Sequence, residues 1–375
     1  MKIGLVFTND WELFGDGSGD YFEVQHNPLL DLLNVFEKHG AKLSIMAETY
    51  QQIKHKELTN ENPKFKEIVE AWESVLQESY NKGHDVQLHI HPQWRESKLV
   101  DGEWVLGTNW SIGKRNEDEI FSIIKECNDY LESVIQNVYT NYNCNVYRAG
   151  AYYIEPSEKV LETLRKLKFE CDTSVTKGTF VEKYYDYRDA FSNIIPWEIG
   201  KKGVKYVDNN SDMIELPIYS NISIDSEGIK KFFPKLYYKF KFGVSVSDSE
   251  LDWMNERDRI KSIRYPSSRR AYKKHENKNL SWYLNKILSK NAIQLDYDYI
   301  PSSAFVKIIG NIINNSKLKD YDFLPVIASG HVKDMHNTEN IESILSSLNK
   351  LYPNQIEYLK ISEAVEKTKE QIIRK

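Results

Sequence analysis

Along the chain, solid apolar runs alternate with apolar stripes at helical spacing. Lys2–Thr8 (KIGLVFT) is rich in β-formers and predicts a buried strand ending at Asn9-Asp10. Residues 27–40 (NPLLDLLNVFEKHG) carry apolar positions at helical spacing, with Pro28 near the start and Gly40 as a stop, so they predict a helix. AKLSIMAE (41–48) predicts a second strand, NPKFKEIVEAWESVLQESYNKG (62–83) a second helix, and HDVQLHIH (84–91) a third strand. A helix at 117–135, a strand at CNVYRAG (144–150), a helix opened by Pro156-Ser157 and a strand at ECDTSV (170–175) complete the series. Five strands and four helices thus alternate in the first 175 residues, the pattern of parallel strands with crossover helices. It predicts an α/β barrel or a doubly wound sheet.

Beyond Val175 the alternation dissolves. IELPIY (Ile214–Tyr219) reads as a strand, while 225–291 reads as an irregular, basic insertion within one domain spanning 1–375. Within it, Arg257, Arg259, Lys261, Arg264, Arg269, Arg270, Lys273, Lys274 and Lys278 face only Asp258 and Glu276. Such a cluster suits a solvated surface, or a lid over a phosphate-bearing substrate. Alternation then returns: a helix at FVKIIGNIINN, a strand at FLPVIASGH, a helix at Ile341–Leu351, a strand at IEYLKI and a final helix from Ser362.

Composition narrows the function classes. A formal net charge of −5 over 375 residues gives no global reason to expect nucleic acid. Cys127, Cys144 and Cys171 are odd in number and widely spaced, which argues against a disulfide framework or a zinc knuckle. The opening MKIGLVFTNDWE is too short an apolar run for a signal peptide, and no run approaches a membrane span. The expectation is a cytoplasmic protein with no transmembrane segment. Gly15–Asp20 (GDGSGD) is glycine-rich, but it lacks the lysine of a phosphate-binding loop.

The ionisable residues collect at predicted strand ends, where α/β barrels keep their ligands and catalytic groups. Strand one ends at Asp10 and Glu12, strand three at His89 and His91, and later strands at Arg148, at Asp172 with Ser174, and at His331. Residues i and i+2 of a strand face the same side, so His89 and His91 can aim two imidazoles at one point. With a carboxylate from Asp10 or Glu12 they form a two-histidine, one-carboxylate set that suits a divalent metal, most simply zinc. His84 lies at the other end of its strand and is not expected to take part.

The stretches TNDWE, GHDVQLHIHP, YRAGAY, DTSV and IASGHVKD follow the order of the five motifs of polysaccharide deacetylases, the NodB-homology enzymes of carbohydrate esterase family 4. The resemblance runs from residue 1 to about 365. DWELFGDGSGD and HPQW resemble a subgroup linked to bacterial surface-polysaccharide synthesis. It implies a distorted (β/α)7 barrel, a divalent metal and removal of N-acetyl groups from sugars.

Carried over residue by residue, the resemblance makes Asp10 the base, His331 the acid, Arg148 the residue that holds Asp10 ionised, and Asp172 the carboxylate that orients His331. Tyr152 and Trp94 become candidate substrate contacts. Two departures stand out. Trp11 occupies the position of the family's metal-binding Asp, leaving Glu12 as the replacement ligand, although the roles of Asp10 and Glu12 could be exchanged. Gln93 occupies the position of the second metal histidine, so His91 substitutes. The substrate expected is an N-acylated sugar, free or carried on a nucleotide or lipid phosphate. The rival readings are hydrolysis of a non-sugar C–N bond and a non-catalytic glycan-binding protein.

Overall fold

The structure is a computed structural model and describes residues 2–208, 211–224, 230, 232–265, 290–318 and 321–373. The main sheet contains nine strands: β1 (Lys2–Trp11), β2 (Leu43–Glu48), β3 (Asp85–Ile90), β4 (Val146–Ala149), β5 (Cys171–Asp172), β6 (Trp197–Glu198), β7 (Ile214–Glu215), β8 (Phe323–Ala328) and β9 (Ile356–Tyr358). Their spatial order is β6-β7-β5-β4-β3-β2-β1-β8, and β9 lies beside the first half of β1. All pairings are parallel except β6 with β7. Just beyond β7, Ile218 bridges Ile327 of β8 in parallel, and this contact brings the two ends of the curled wall together. The seven parallel strands β1, β2, β3, β4, β5, β7 and β8 make a distorted α/β barrel.

The strands are buried on both faces; every residue of β2 and β3, and all of β1 after Lys2, is buried. This is the signature of parallel strands covered by helices. The crossover helices are α1 (Asn27–Lys38), α2 (Thr49–Glu57), α3 (Pro63–Asn81), α4 (Glu117–Gln136) and α5 (Glu158–Lys166). Local chemistry sets their ends. Asn62 caps α3 through the Lys64 amide with Pro63 in the first turn, and Asn116 with Glu119 forms a reciprocal capping box on α4. Gly40 and Gly83 take left-handed backbone where α1 and α3 stop.

Three expectations change. First, β1 continues to Trp11, so Asp10 sits inside the strand rather than after it. Second, the first 175 residues hold five helices, not four. The extra one, α2 (TYQQIKHKE), has almost no apolar face and is fixed instead by its position between β2 and α3. Third, the described part of 225–291 is not irregular. It contains α6 (Pro234–Phe242) and α7 (Asp248–Arg264), the latter opened by a Ser247/Glu250 capping box. Arg269, Arg270, Lys273, Lys274 and Lys278 lie outside the described residues. The later helices are α8 (Ser302–Ile313), α9 (Glu339–Leu351) and α10 (Ile361–Ile373).

Candidate metal centre and cleft

The parallel register creates the site. Glu48 of β2 lies level with His89 of β3, and His89 lies level with Arg148 of β4. Three neighbouring strands therefore present a carboxylate, an imidazole and a guanidinium in one row at their C-terminal ends. β1 adds Asp10 and, one residue past its end, Glu12. The loop after β8 adds His331. These groups meet beneath a cleft of about 280 Å³ lined by Asp10, Glu12, His91, Trp110, Tyr152 and His331, among others.

Glu12, Glu48, His89 and His91 form a buried cluster whose potential ligand atoms all lie within 4.8 Å of one another. His89 Nδ1 donates to the Arg148 carbonyl at 3.0 Å. That bond puts the proton on Nδ1 and leaves the Nε2 lone pair facing Glu12 Oε2 at 3.3 Å. A second proton on Nε2 or a bound cation would each join these two groups. His91 Nε2 is buried and is in close contact with the same Glu12 oxygen, so both imidazoles converge on Oε2. Its Nδ1 meets the Gln93 amide at 3.0 Å, and the Gln93 carbonyl oxygen is itself buried without a partner. Rotating that amide by half a turn lets Oε1 accept the His91 Nδ1 proton and frees Nε2 as a second lone pair. Donor chemistry and the clustering of these atoms thus fit a divalent metal held by Glu12, His89 and His91, with imidazoles oriented by outer partners. Gly150 packs against this arrangement closely enough that a Cβ there would lie 2.6 Å from His91 Cγ.

Glu48 and Lys333 were missed by the sequence reading. Glu48 is fully buried and accepts the His91 amide at 2.7 Å and the Gln51 amide at 3.2 Å, so it caps α2 while fixing the His91 backbone. Burial pushes its carboxyl up to about 8, against the opposing pull of His91. A glutamate closing an apolar run just before a helix was the available signal. Lys333 bonds the other oxygen of Glu12. Burial disfavours the Glu12 carboxylate, but His91 and Lys333 outweigh it and hold Glu12 well below the usual carboxylate range. Lys333 lies two residues past His331, in the same 3-10 turn.

Asp10 belongs to a separate half of the site. Arg148 is fully buried, and its three nitrogens make four hydrogen bonds: to Asp10 Oδ1 at 2.5 Å, Thr8 Oγ1 at 2.9 Å, the Thr173 carbonyl at 3.0 Å and Thr173 Oγ1 at 3.3 Å. Burial alone would raise Asp10, yet the Arg148 guanidinium overrides it and holds the carboxyl far below its ordinary value. Removing Arg148 strips the buried Asp10 charge of its strongest partner. Arg148→Met should therefore lower unfolding stability by about 3–5 kcal/mol, measured by chemical denaturation. A loss under about 1 kcal/mol would mean that Asp10 finds other compensation.

His331 Nε2 lies 3.5 Å from Asp10 Oδ2, and its amide donates to Asp298 Oδ2 at 2.7 Å. Burial pushes its pKa down, but the Asp10 carboxylate more than reverses this and lifts it to about 9. Among the described residues its buried Nδ1 has no hydrogen bond, and Asp296 Oδ2 stands 3.9 Å away. Asp296 and Asp298, from Asp-Tyr-Asp after Leu295, escaped the sequence reading because no recognised motif flanks them.

Asp172 does not contact His331. It accepts the Ser174 amide and hydroxyl, both at 2.9 Å, and lies level with Glu215 on the neighbouring strand β7. Burial raises both carboxyls. The strand register sets Asp172 beside Glu215.

Trp94 is also corrected. It is 3 % exposed and packs against Trp104 (ring centroids 5.1 Å) and His55 (6.1 Å), away from the cleft. Trp110 reaches the cleft instead, edge-on to His91 at 6.4 Å. Tyr152 lines the cleft, its hydroxyl accepting from Gln294 at 2.8 Å. His84 accepts the Leu43 amide at the far end of β3, a structural role.

The chain is similar to polysaccharide deacetylases of known structure. A Mycobacterium smegmatis protein described as a polysaccharide deacetylase overlaps 99% of this chain and 91% of its own, at 12% identity and TM-score 0.45. PuuE allantoinase overlaps 97% and 89%, at 9% identity and TM-score 0.44. A Bordetella bronchiseptica protein described as a polysaccharide deacetylase involved in O-antigen biosynthesis overlaps 76% and 90%, at 15% identity and TM-score 0.28. Overlaps this loose do not carry residue roles across. No protein-family model matches the chain, and no curated protein matches it. Among the described residues, no helix is long and apolar enough to cross a membrane.

Proposed function

We propose that this protein is a metal-dependent hydrolase that removes the acyl group from an N-acylated sugar. The observation that carries the reading is the convergence of His89 and His91 on Glu12, with the Asp10–His331 pair opening onto the same cleft. The motif order in the sequence supports the same class.

Glu12, His89 and His91 would hold the metal. When bound, it would polarise the amide carbonyl and stabilise negative charge developing on the carbonyl oxygen. Asp10, kept ionised by Arg148, takes the proton from the attacking water. His331, kept protonated by Asp10, gives a proton to the departing amine, which would otherwise leave as an unstable anion. Arg148 and Asp298 act by position: the first fixes the direction of Asp10, the second the backbone of His331. Asp296, nearest the free Nδ1 of His331, takes the orienting role first assigned to Asp172. Tyr152 and Trp110 supply the walls against which a sugar ring would lie.

Zinc is the metal this donor set favours. The test is acetate release from N-acetylhexosamines, free and nucleotide-linked, by protein loaded with zinc. Release that depends on metal and disappears with a chelator is expected. A metal-loaded protein that binds N-acetylated sugars without releasing acetate would sink the catalytic reading.

A further inference from the structure

A surface outside the cleft carries an unusual combination of side chains. From Lys230 to Phe242 the sequence reads KKFFPKLYYKFKF, with five lysines and no acidic residue, in a chain whose net charge is −5. Acidic residues are absent from Gly228 through Ser247. The second half of this stretch is α6, and its two faces differ sharply. Tyr237, Tyr238 and Phe242 are buried and anchor it to the body. Phe233 (63 % exposed), Leu236 (44 %) and Phe240 (79 %) point outward, with exposed Lys235 and Lys239 interleaved. Phe232 continues the exposed patch at its leading end, and Lys235 makes an exposed ion pair with Asp248.

We infer that α6 docks the protein on an anionic membrane surface. Three bulky apolar side chains held outward on a short, anchored helix gain nothing in water. Pressed into the boundary between headgroups and acyl chains, they are removed from it. Interleaved lysines then lie at the depth of lipid phosphates, where each adds attraction. A second copy of this chain fits the face less well, because a two-fold contact would set the same lysines against one another. An acidic protein partner would satisfy the lysines but gives no reason for protruding phenylalanines.

Position links this face to the cleft. The buried side of α6, through Tyr237, Tyr238 and Phe242, borders a hollow whose other wall includes Gln294 and Asp296. Gln294 bonds Tyr152 in the cleft, and Asp296 stands beside His331. Docking on the outer face of α6 would hold the chain at the membrane by a helix whose inner face adjoins this hollow, so that a sugar carried on a lipid phosphate would be a substrate at hand. That last clause rests on the proposed deacetylation; docking itself does not.

The experiment is co-sedimentation of the full chain with vesicles of phosphatidylglycerol and phosphatidylcholine, beside vesicles of phosphatidylcholine alone. Binding is expected to the anionic vesicles and to weaken with added salt. The Phe233→Ser, Phe240→Ser double variant should bind at least about tenfold more weakly, and Lys239→Glu about fivefold or more. Both changes lie on exposed positions, so the thermal transition should not move. Absence of sedimentation with either vesicle, or binding indifferent to both variants, would overturn the inference. So would a concentration-dependent dimer, seen without lipid and abolished by Phe240→Ser. The readout needs no catalysis, so it fails or succeeds separately from the deacetylase reading.

Discussion

The double variant His89→Ala, His91→Ala should carry no metal under conditions where the parent protein carries roughly one divalent ion per chain. The reason is the way the two rings are held. His89 is fixed by the Arg148 carbonyl and His91 by Gln93 and the Glu48-bound backbone, so both lone pairs are set before any ion arrives. Losing one such ligand should cost more than the roughly 10–100-fold in affinity that an outer partner typically contributes. Losing both leaves a lone carboxylate already engaged by Lys333. Hydrolysis should then fall to background. Elemental analysis after dialysis reads the first result, and acetate release reads the second. Full metal occupancy in the double variant would move the ligand set elsewhere and remove the basis of the proposed chemistry.

His331→Ala should keep its metal and lose about 10²–10⁴ in rate, the usual contribution of one positioned acid. The site explains both halves. His331 touches Asp10 and faces Asp296, and neither belongs to the proposed ligand set. An acetanilide or acetyl ester, whose leaving group needs less help from an acid, should suffer less than a sugar amide. Equal losses on both substrates, or loss of the metal, would make His331 a ligand or a structural residue. The pH profile gives a second handle. With its pKa lifted to about 9, His331 stays protonated across neutrality, so activity should fall as pH rises through about 9. Asp10 stays ionised well into acid, so a rising limb near neutrality would belong to another group. Asp296→Asn should displace the falling limb, whereas Asp172→Asn should leave it in place.

The same raised pKa has a stability consequence whose sign is fixed. A histidine that binds its proton more tightly when folded stabilises the fold most fully below its unfolded pKa of about 6.5. That contribution is lost as pH rises through about 9. In His331→Ala this part of the alkaline decline in stability should disappear.

Much of the barrel was legible because its strands are solid apolar runs and its helices are striped and capped. Burial on both faces writes one pattern and burial on one stripe writes the other, over short stretches of chain. What failed was local chemistry without periodicity. The polar helix α2 has no stripe to read. A two-residue turn at Asp101-Gly102, with both residues at positive φ, joins a small hairpin of Lys98–Val100 and Glu103–Val105 that passed unrecognised. That hairpin captures Trp94 and Trp104 into packing and leaves Trp110 at the cleft.

For the site, the sequence alone fixed which residues could meet. Asp10, Glu12, His89, His91, Arg148 and His331 all sit at or just past strand ends, and parallel strands place those ends on one rim. The i, i+2 spacing of the histidines was enough to aim them together. Partner choice was left to the tertiary structure, because strand register is a long-range property. Level pairing of Glu48, His89 and Arg148 put an unforeseen carboxylate beside the imidazoles. Pairing of Asp172 with β7 set that residue level with Glu215, where Ser174 takes up its carboxylate. The vacancy beside His331 went to Asp296, on a segment that reaches the rim only because the chain after residue 290 returns against β8. Periodicity encodes which side chains face inward, but depth along the barrel axis is set by how each strand slides against its neighbour.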